Sequence, residues 1–271
     1  MSSQMPKSAV KSLDKSEFVV ASTMTAKSSV TAKLTEVYAS PQSLEGEGPP
    51  PPDFDAAQEA NSALLRRSGS ELRGKQRVYG AHRVQVTKAY AQRNEQFKEV
   101  KRVHRDSRKS VAGTYGEEAL LLVGLEAAPA STPSAEREQA LEAVGRMRNP
   151  ELAARLPEER VGQEPLDFER LANAFEAAVK KLDEAMAALN HAIKLADQAL
   201  LARNEALAFH LRVYVNVTRI QEAYFRLAGF DDLADRIRAA EPSRRAEKPE
   251  ETPEPAPPSP SPEEEAPPVT A

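Results

Sequence analysis

Histidine side chains could bind a metal ion or transfer a proton, because the imidazole pKa lies near physiological pH. The chain has four of them: His82, His104, His191 and His210. No two lie three or four residues apart, which is the spacing that places two metal ligands on one face of a helix. The chain also lacks cysteine, which excludes disulfides, thiolate zinc sites and cysteine nucleophiles. The sequence therefore predicts no metal site and no cofactor.

The motifs of the common enzyme classes are also missing from the sequence. It contains no Gly-x-Ser-x-Gly, no glycine-rich phosphate loop and no His-Glu-x-x-His. Glu158–Glu159 and Glu263–Glu265 could serve as acids, bases or cation ligands. They lie in polar segments, however, where no burial would shift a carboxyl pKa, so solvated charge explains them better. We predict a protein that is not an enzyme.

Positive charge is concentrated in one part of the chain. Residues 60–112 carry 14 Lys and Arg against four Asp and Glu, a net charge of +10. Residues 166–228 carry eight of each sign, whereas 113–165 have a net charge of −5 and 242–271 a net charge of −4. On a helix, residues at i, i+4, i+7 and i+8 share a face. Five bases have this spacing: Lys101, Arg102, Arg105, Arg108 and Lys109.

This basic face has two interpretations. It could bind an anionic partner, such as nucleic acid, an acidic protein or an anionic membrane surface. Alternatively, it is a solvated helix face that the acidic residues of 113–165 partly balance. Aromatic residues for base stacking are absent from the face, and the whole chain has a net charge of −4. Nucleic-acid binding is therefore possible but not favoured.

Proline positions indicate which segments fold. Six prolines lie in 1–52 and ten in 242–271, whereas 53–128 and 166–241 contain none. Because proline costs about 3 kcal/mol inside a helix, the two proline-free windows are predicted to be helical. The Ser/Thr/Lys/Pro-rich segment 1–52 and the Pro/Glu-rich segment 242–271 bury too little apolar surface to fold and are predicted to be disordered tails. The sequence leaves open a short helix around Lys7–Val20, because Val10, Leu13 and Val20 lie near one face. Residues 53–241 then form the helical domain.

Residues 166–228 have no Gly or Pro and show helical spacing of apolar residues. If Phe175 is placed at heptad position a, five successive d positions are alanine: Ala178, Ala185, Ala192, Ala199 and Ala206. Such a seam allows a neighbouring helix to approach closely, although alanine is also simply the best helix former. The register continues past Leu201 without turn residues. We therefore predict one helix of about 95 Å at 1.5 Å per residue.

Two polar residues interrupt the a positions of this helix, Arg203 and His210. They could form a buried polar layer that fixes register or responds to pH. The sequence favours the simpler interpretation, in which both side chains extend to water. At the end of the helix, Gly229 suits the C′ position and Asp231 could cap a last helix over 232–240.

The first window, 53–112, is the predicted partner of the long helix. Its glycines, including Gly69 and Gly74, each cost about 1 kcal/mol relative to alanine, so we expect fraying or a kink between Arg66 and Ala81. Shorter helices are expected between the windows, one of them with Ser134 as its N-cap. The predicted fold is all-α: an elongated antiparallel long-helix hairpin with coiled-coil-like packing, thickened at one end by short helices. Facing residues should have numbers that add to about 280.

The function most consistent with these features is non-enzymatic. We predict a scaffold or adaptor that acts through protein–protein interaction or self-association. The alternative is a protein that binds nucleic acid or another polyanion through the basic helix 60–112. No stretch approaches the about 18 consecutive apolar residues of a membrane span, and no apolar signal segment is recognisable. The expected location is the cytoplasm.

Overall fold

A computed structural model of the chain describes residues 5–39, 52–160 and 163–240. Within these ranges it contains seven α-helices and no strand, so the predicted all-α fold is confirmed. The helices are α1 Lys7–Ala39, α2 Phe54–Tyr115, α3 Glu118–Val123, α4 Pro133–Met147, α5 Leu152–Arg155, α6 Phe168–Leu227 and α7 Asp231–Ala240. None of these described helices combines the length and apolar character that crossing a membrane requires.

The two longest helices are uninterrupted. Helix α6 passes Leu201 without a break, as predicted. Helix α2 is α-helical throughout residues 66–81, so the predicted fraying there is wrong. The reason is visible at Gly69, where an added Cβ would lie 3.2 Å from Leu13 Cδ2 of α1. The glycine allows α1 to pack closely on α2, and this packing offsets its low helix propensity.

The chain divides into two compact units. Among the described residues, the first comprises 5–13, 63–160 and 163–213, and the second comprises 14–39, 52–62 and 214–240. Helices α1, α2 and α6 each contribute residues to both units.

In the first unit, α2 and α6 pack antiparallel. Tyr115 of α2 stacks on Phe168 of α6 with ring centroids 5.9 Å apart. Forty-seven residues earlier in α2, Ser68 hydrogen-bonds His210 of α6 over 2.9 Å. Residue numbers therefore rise along one helix as their partners fall along the other, and Ser68 lies two residues from the position predicted to face His210.

The main hydrophobic core of the first unit lies where the short helices join this pair. Val100 and Val111 of α2 meet Phe175 and Leu182 of α6 there. Helices α3, α4 and α5 add buried apolar side chains to the same core: Ala119, Leu120, Val123, Ala140, Ala143, Val144, Met147 and Leu152. The short helices thus thicken this part of the α2–α6 pair, as the sequence predicted.

Helix α1 is the largest correction to the sequence-based expectation. Residues 7–39 form a 33-residue helix, although 1–52 was predicted to be disordered. Its buried face combines apolar residues such as Val19 and Val30 with hydroxyl residues. Thr23 Oγ1, for example, donates to the carbonyl oxygen of Val19 over 2.9 Å, so a buried hydroxyl is satisfied within its own helix. The Ser/Thr-rich composition predicted disorder, although these residues allow one face of the helix to be buried. The predicted tail 242–271 and the remainder of 1–52 lie outside the described residues, apart from Met5, Pro6 and Pro52.

In the second unit, α1 contacts the start of α2 and also α7, and α7 contacts α6. Gln58 Nε2 donates to Thr31 Oγ1 over 3.0 Å. The Lys27 ammonium lies 2.8 Å from a carboxylate oxygen of Asp55, and the hydrogen bond between them raises the pKa of Lys27. The Tyr214 hydroxyl donates to the carbonyl oxygen of Ala240 and so holds the end of α7 against α6.

One helix end follows the predicted chemistry, and two helix starts differ from it. Gly229 has a φ of 75°, and the amide of Phe230 donates to the carbonyl oxygen of Phe225, which confirms Gly229 as the C′ residue of α6. Helix α7 begins at Asp231, so this residue lies inside the helix rather than capping it. Thr132, not Ser134, caps α4, because Pro133 occupies its first turn and has no amide proton to be satisfied.

Candidate interaction surface

The five bases predicted to form one face lie on α2 in the first unit, and they differ in exposure. Arg102, Arg105 and Lys109 are exposed, whereas Lys101 and Arg108 are half-buried. The Lys101 ammonium lies 5.1 Å from the centre of the Phe97 ring, which it covers as a cation–π contact.

Carboxylates on the same helix partly balance Arg102. Its guanidinium lies 2.6 Å from Glu99 and 3.5 Å from Asp106. The hydrogen bond from Arg102 lowers the pKa of Glu99. Exposed pairs within one helix contribute only about 0.3–0.5 kcal/mol, so they restrain Arg102 weakly and leave it available to a partner.

A buried pair holds this part of α2 in place. His104 Nδ1 lies 2.8 Å from Glu136 Oε1 of α4, and both side chains are buried. Glu136 also accepts a hydrogen bond from the backbone amide of Ala130. The His104 ring packs edge-on against Phe175 of α6 at 6.0 Å. These contacts tie together α2, α4 and α6, and they turn the basic residues of α2 toward solvent.

Sequence reasoning missed the pairing of His104 with Glu136. The two residues are 32 positions apart, and nothing in the local sequence marks either as buried. The only available signal was the position of Glu136 in the first turn of a predicted helix, where a carboxylate is favourable. Within the described residues, no group of three or more His, Asp or Glu side chains could hold a metal ion.

His210 is fully buried, so the prediction that it extends to water is wrong. Its Nδ1 shares a hydrogen bond with the Ser68 hydroxyl, and Gly69 leaves room for its ring. Burial is the main cause that lowers the pKa of His210, and the nearby charge of Arg73 acts in the same direction. Arg203, the other polar a position, is half-buried, with its guanidinium 5.3 Å from the centre of the Tyr79 ring.

The five alanines of the predicted seam on α6 all belong to the first unit, and most of them are buried there. Four are buried, and the fifth, Ala192, is half-buried beside Val86 and Leu189. The four buried alanines are Ala178, Ala185, Ala199 and Ala206. Farther along α6, however, the d-position residues Ile220 and Leu227 are exposed. An α-helix drifts by about 20° per heptad against a strict seven-residue repeat, which accounts for the shift of the buried face.

An open cleft of about 610 Å³ lies beside the main core of the first unit. Tyr115, Met147, Leu152 and Phe168 contribute apolar side chains to its wall. Glu158, predicted to be a solvated charge, is exposed at the same cleft. Asn149 and Glu159 add further polar groups to the lining.

The basic surface of α2 extends well beyond the predicted five residues. Eight exposed bases of this helix, all in the first unit, lie within about 100° of arc at 100° per residue. We call them the basic stripe: Arg66, Arg73, Arg77, Lys88, Lys98, Arg102, Arg105 and Lys109. Two exposed acids, Glu95 and Asp106, share the face, so positive charge dominates along its length. Three of the predicted five residues belong to the stripe, and the half-buried Lys101 and Arg108 lie beside it.

A comparison with protein families, with characterised proteins and with solved structures finds no match for this chain. Its function is therefore inferred from its own residues.

Proposed function

We propose that this chain is a non-enzymatic helical scaffold or adaptor that binds an acidic protein partner through the basic stripe. The observation that carries the proposal is the alignment of eight exposed bases with only two acids on one face of α2. The helix that packs against α2 offers little compensation, because residues 166–228 contain as many bases as acids. Such a surface attracts anionic partners and accelerates their association.

The number of bases matters more than the strength of any one. An exposed ion pair contributes about 0.2–1 kcal/mol, so one or two pairs could not hold a partner. A row of eight bases can add many such contacts along a single interface. Because α2 is already held by its packing in the first unit, the backbone that carries these side chains is ordered before the partner arrives.

Binding of nucleic acid or another polyanion is the second candidate function. The observation in its favour is the same repeated positive charge, since phosphate contacts come mainly from Lys and Arg. Two features count against it. The basic stripe contains no aromatic side chain on which a base could stack, and the chain as a whole has a net charge of −4.

A capture experiment with the full chain separates these candidates. The stripe variant changes Arg77, Lys88, Lys98 and Arg102 to Gln. The control variant changes the same number of bases outside the stripe: Arg67, Lys75, Arg83 and Arg93. Gln is a comparable helix former, so both variants should keep the helical circular dichroism of the parent chain.

We expect the parent chain and the control variant to retain a protein partner after nuclease treatment, and the stripe variant to lose it. Loss of the captured material on nuclease treatment would instead support the polyanion function. Equal capture by both variants would show that the stripe is a solvated face and would contradict both candidates.

A further inference from the structure

We infer that the segment of the partner that contacts the basic stripe is an α-helix with acidic ends and an apolar middle, lying lengthwise along α2. The inference rests on the proposed function and names the chemistry of the partner at the same surface.

The stripe is not uniformly basic. Between Arg77 and Lys88 the same face carries Val84, and beyond Lys88 it carries Ala91. Both residues are exposed, and Val84 is the larger, with 50% of its surface accessible. The bases therefore form two groups, 66–77 and 98–109, and between them lie Lys88, the two apolar residues and Glu95.

A helix fits this pattern along its whole length. Neighbouring bases of the stripe are 3, 4, 7, 10 or 11 residues apart, which are spacings of residues on one face of a helix. A second helix with carboxylates at similar spacings can pair its acids with these bases, as charged positions do between paired helices. The stripe spans 43 steps of the helix, or about 65 Å at 1.5 Å per residue, so such a partner needs roughly twelve turns.

Nucleic acid matches the stripe less well. A duplex turns once in about 34–36 Å, so its phosphate strands would wind away from a line of bases that follows a helix axis for about 65 Å. A single strand could follow the line, but the stripe has no aromatic side chain to stack on its bases.

Val84 favours a protein partner over nucleic acid. An apolar side chain at the centre of the surface gains from burial under a protein partner, and central apolar anchors are typical of protein interfaces. The phosphate groups that would pair with the neighbouring bases are anionic and hydrated, so they gain nothing from covering a valine side chain.

The test uses a labelled synthetic helical peptide with Glu along one face and two Leu at its middle. A second peptide has Ser in place of both Leu, and single-stranded and duplex DNA of the same formal charge complete the set. Binding to the full chain is measured by fluorescence anisotropy at about 50 and 150 mM salt, where surface ion pairs are progressively screened. Circular dichroism establishes that each variant remains helical.

We expect the Leu-containing peptide to bind more tightly than the Ser-containing peptide and than either DNA. The stripe variant should weaken its binding at least tenfold, and the control variant less than threefold. Val84→Ser should weaken it three- to tenfold. Val78→Ser is the matched control, because Val78 is 49% exposed but lies outside the stripe, and it should leave binding unchanged.

Three outcomes would overturn the inference: tighter binding of either DNA, equal binding of the two peptides, or equal effects of Val84→Ser and Val78→Ser. Suppose that one of these outcomes is observed, but that the stripe variant still loses its protein partner in the capture experiment. The proposed function then stands, and only the inference of a helical partner is wrong. If the stripe variant also captures protein as well as the control variant does, the proposed function falls with the inference.

Discussion

Single residues show how closely the helices of the first unit approach one another. Gly69 lies where Leu13 of α1 and His210 of α6 both meet α2. An added Cβ would lie 3.2 Å from Leu13 Cδ2 and 3.7 Å from His210 Cε1, so a larger side chain has no space there. Gly74 lies on the same helix, but an added Cβ at that position would meet nothing within 4 Å. Helix packing therefore favours glycine at position 69, whereas nothing in the packing favours glycine at position 74.

Replacing these glycines should change stability in opposite directions. Gly69→Leu overpacks the contact and should lower the free energy of unfolding by about 1–3 kcal/mol. Gly74→Leu adds a better helix former on an open face and should raise it by up to about 1 kcal/mol. Urea unfolding followed by circular dichroism measures both. Stabilisation by Gly69→Leu would show that α1 does not pack at this position.

His210 should make stability depend on pH. Its pKa is lowered in the folded chain, mainly by burial, so folding favours the neutral imidazole. In the unfolded chain the imidazole takes up a proton near pH 6.5, and stability should therefore fall as the pH drops below about 6.5. His210→Gln should reduce the difference in melting temperature between pH 7.5 and pH 5.5. An unchanged difference would assign the pH dependence to other groups.

At the scale of the elements, local sequence predicts some helices well and others poorly. The extents of α2 and α6 follow from proline-free windows and helical spacing, which are local properties. The burial of His210 depends on Ser68 and Gly69, more than 140 positions away, and no local pattern encodes it. The length of α1 was missed for another reason: the amino-acid composition of 1–52 does not show that Ser12, Ser16 and Thr23 lie on the same face as its buried apolar residues. The basic stripe was only partly recognised, because it extends over far more turns than the cluster at 101–109.

The buried alanines of α6 can be tested as a packing seam. Ala185→Leu should overpack the first unit and lower the free energy of unfolding by about 1–3 kcal/mol. Ala177 is exposed on the same helix, so Ala177→Leu should change it by less than about 0.5 kcal/mol. Ala192 is only half-buried, and Ala192→Leu should lie between the two. Equal effects of Leu at 185 and 177 would contradict the seam.

At the scale of the whole molecule, charges of opposite sign are separated along the chain. The net charge of +10 in 60–112 is followed by −5 in 113–165, and residues 242–271 add −4. Because the total is −4, an anionic partner is repelled by the molecule at long range and attracted by the basic stripe at short range. Salt screens the long-range repulsion more strongly than the short-range attraction, so it should change the association rate and the affinity by different factors.

Removing residues 242–271 deletes three bases and seven acids and brings the net charge close to zero. The shortened chain should bind the acidic peptide more tightly at about 50 mM salt, because the long-range repulsion is reduced, and the gain should shrink at 150 mM. A full-length chain with the seven Glu of this segment changed to Gln serves as the control; its net charge becomes +3, so its gain should be at least as large. Unchanged binding in both would show that this segment does not influence the stripe.

The buried hydroxyls of α1 have a consequence for its motion. Ser12 and Thr23 donate to carbonyl oxygens of their own helix, so opening of α1 leaves these groups satisfied and exposes less apolar surface than opening of α6 would. Helix α1 should therefore behave as a separate, weaker unit of cooperative opening. In native-state hydrogen exchange, the amides of α1 should exchange through a sub-global opening at lower free energy than those of α6 around Phe175. Identical protection in both helices would instead show that the chain opens only as a whole.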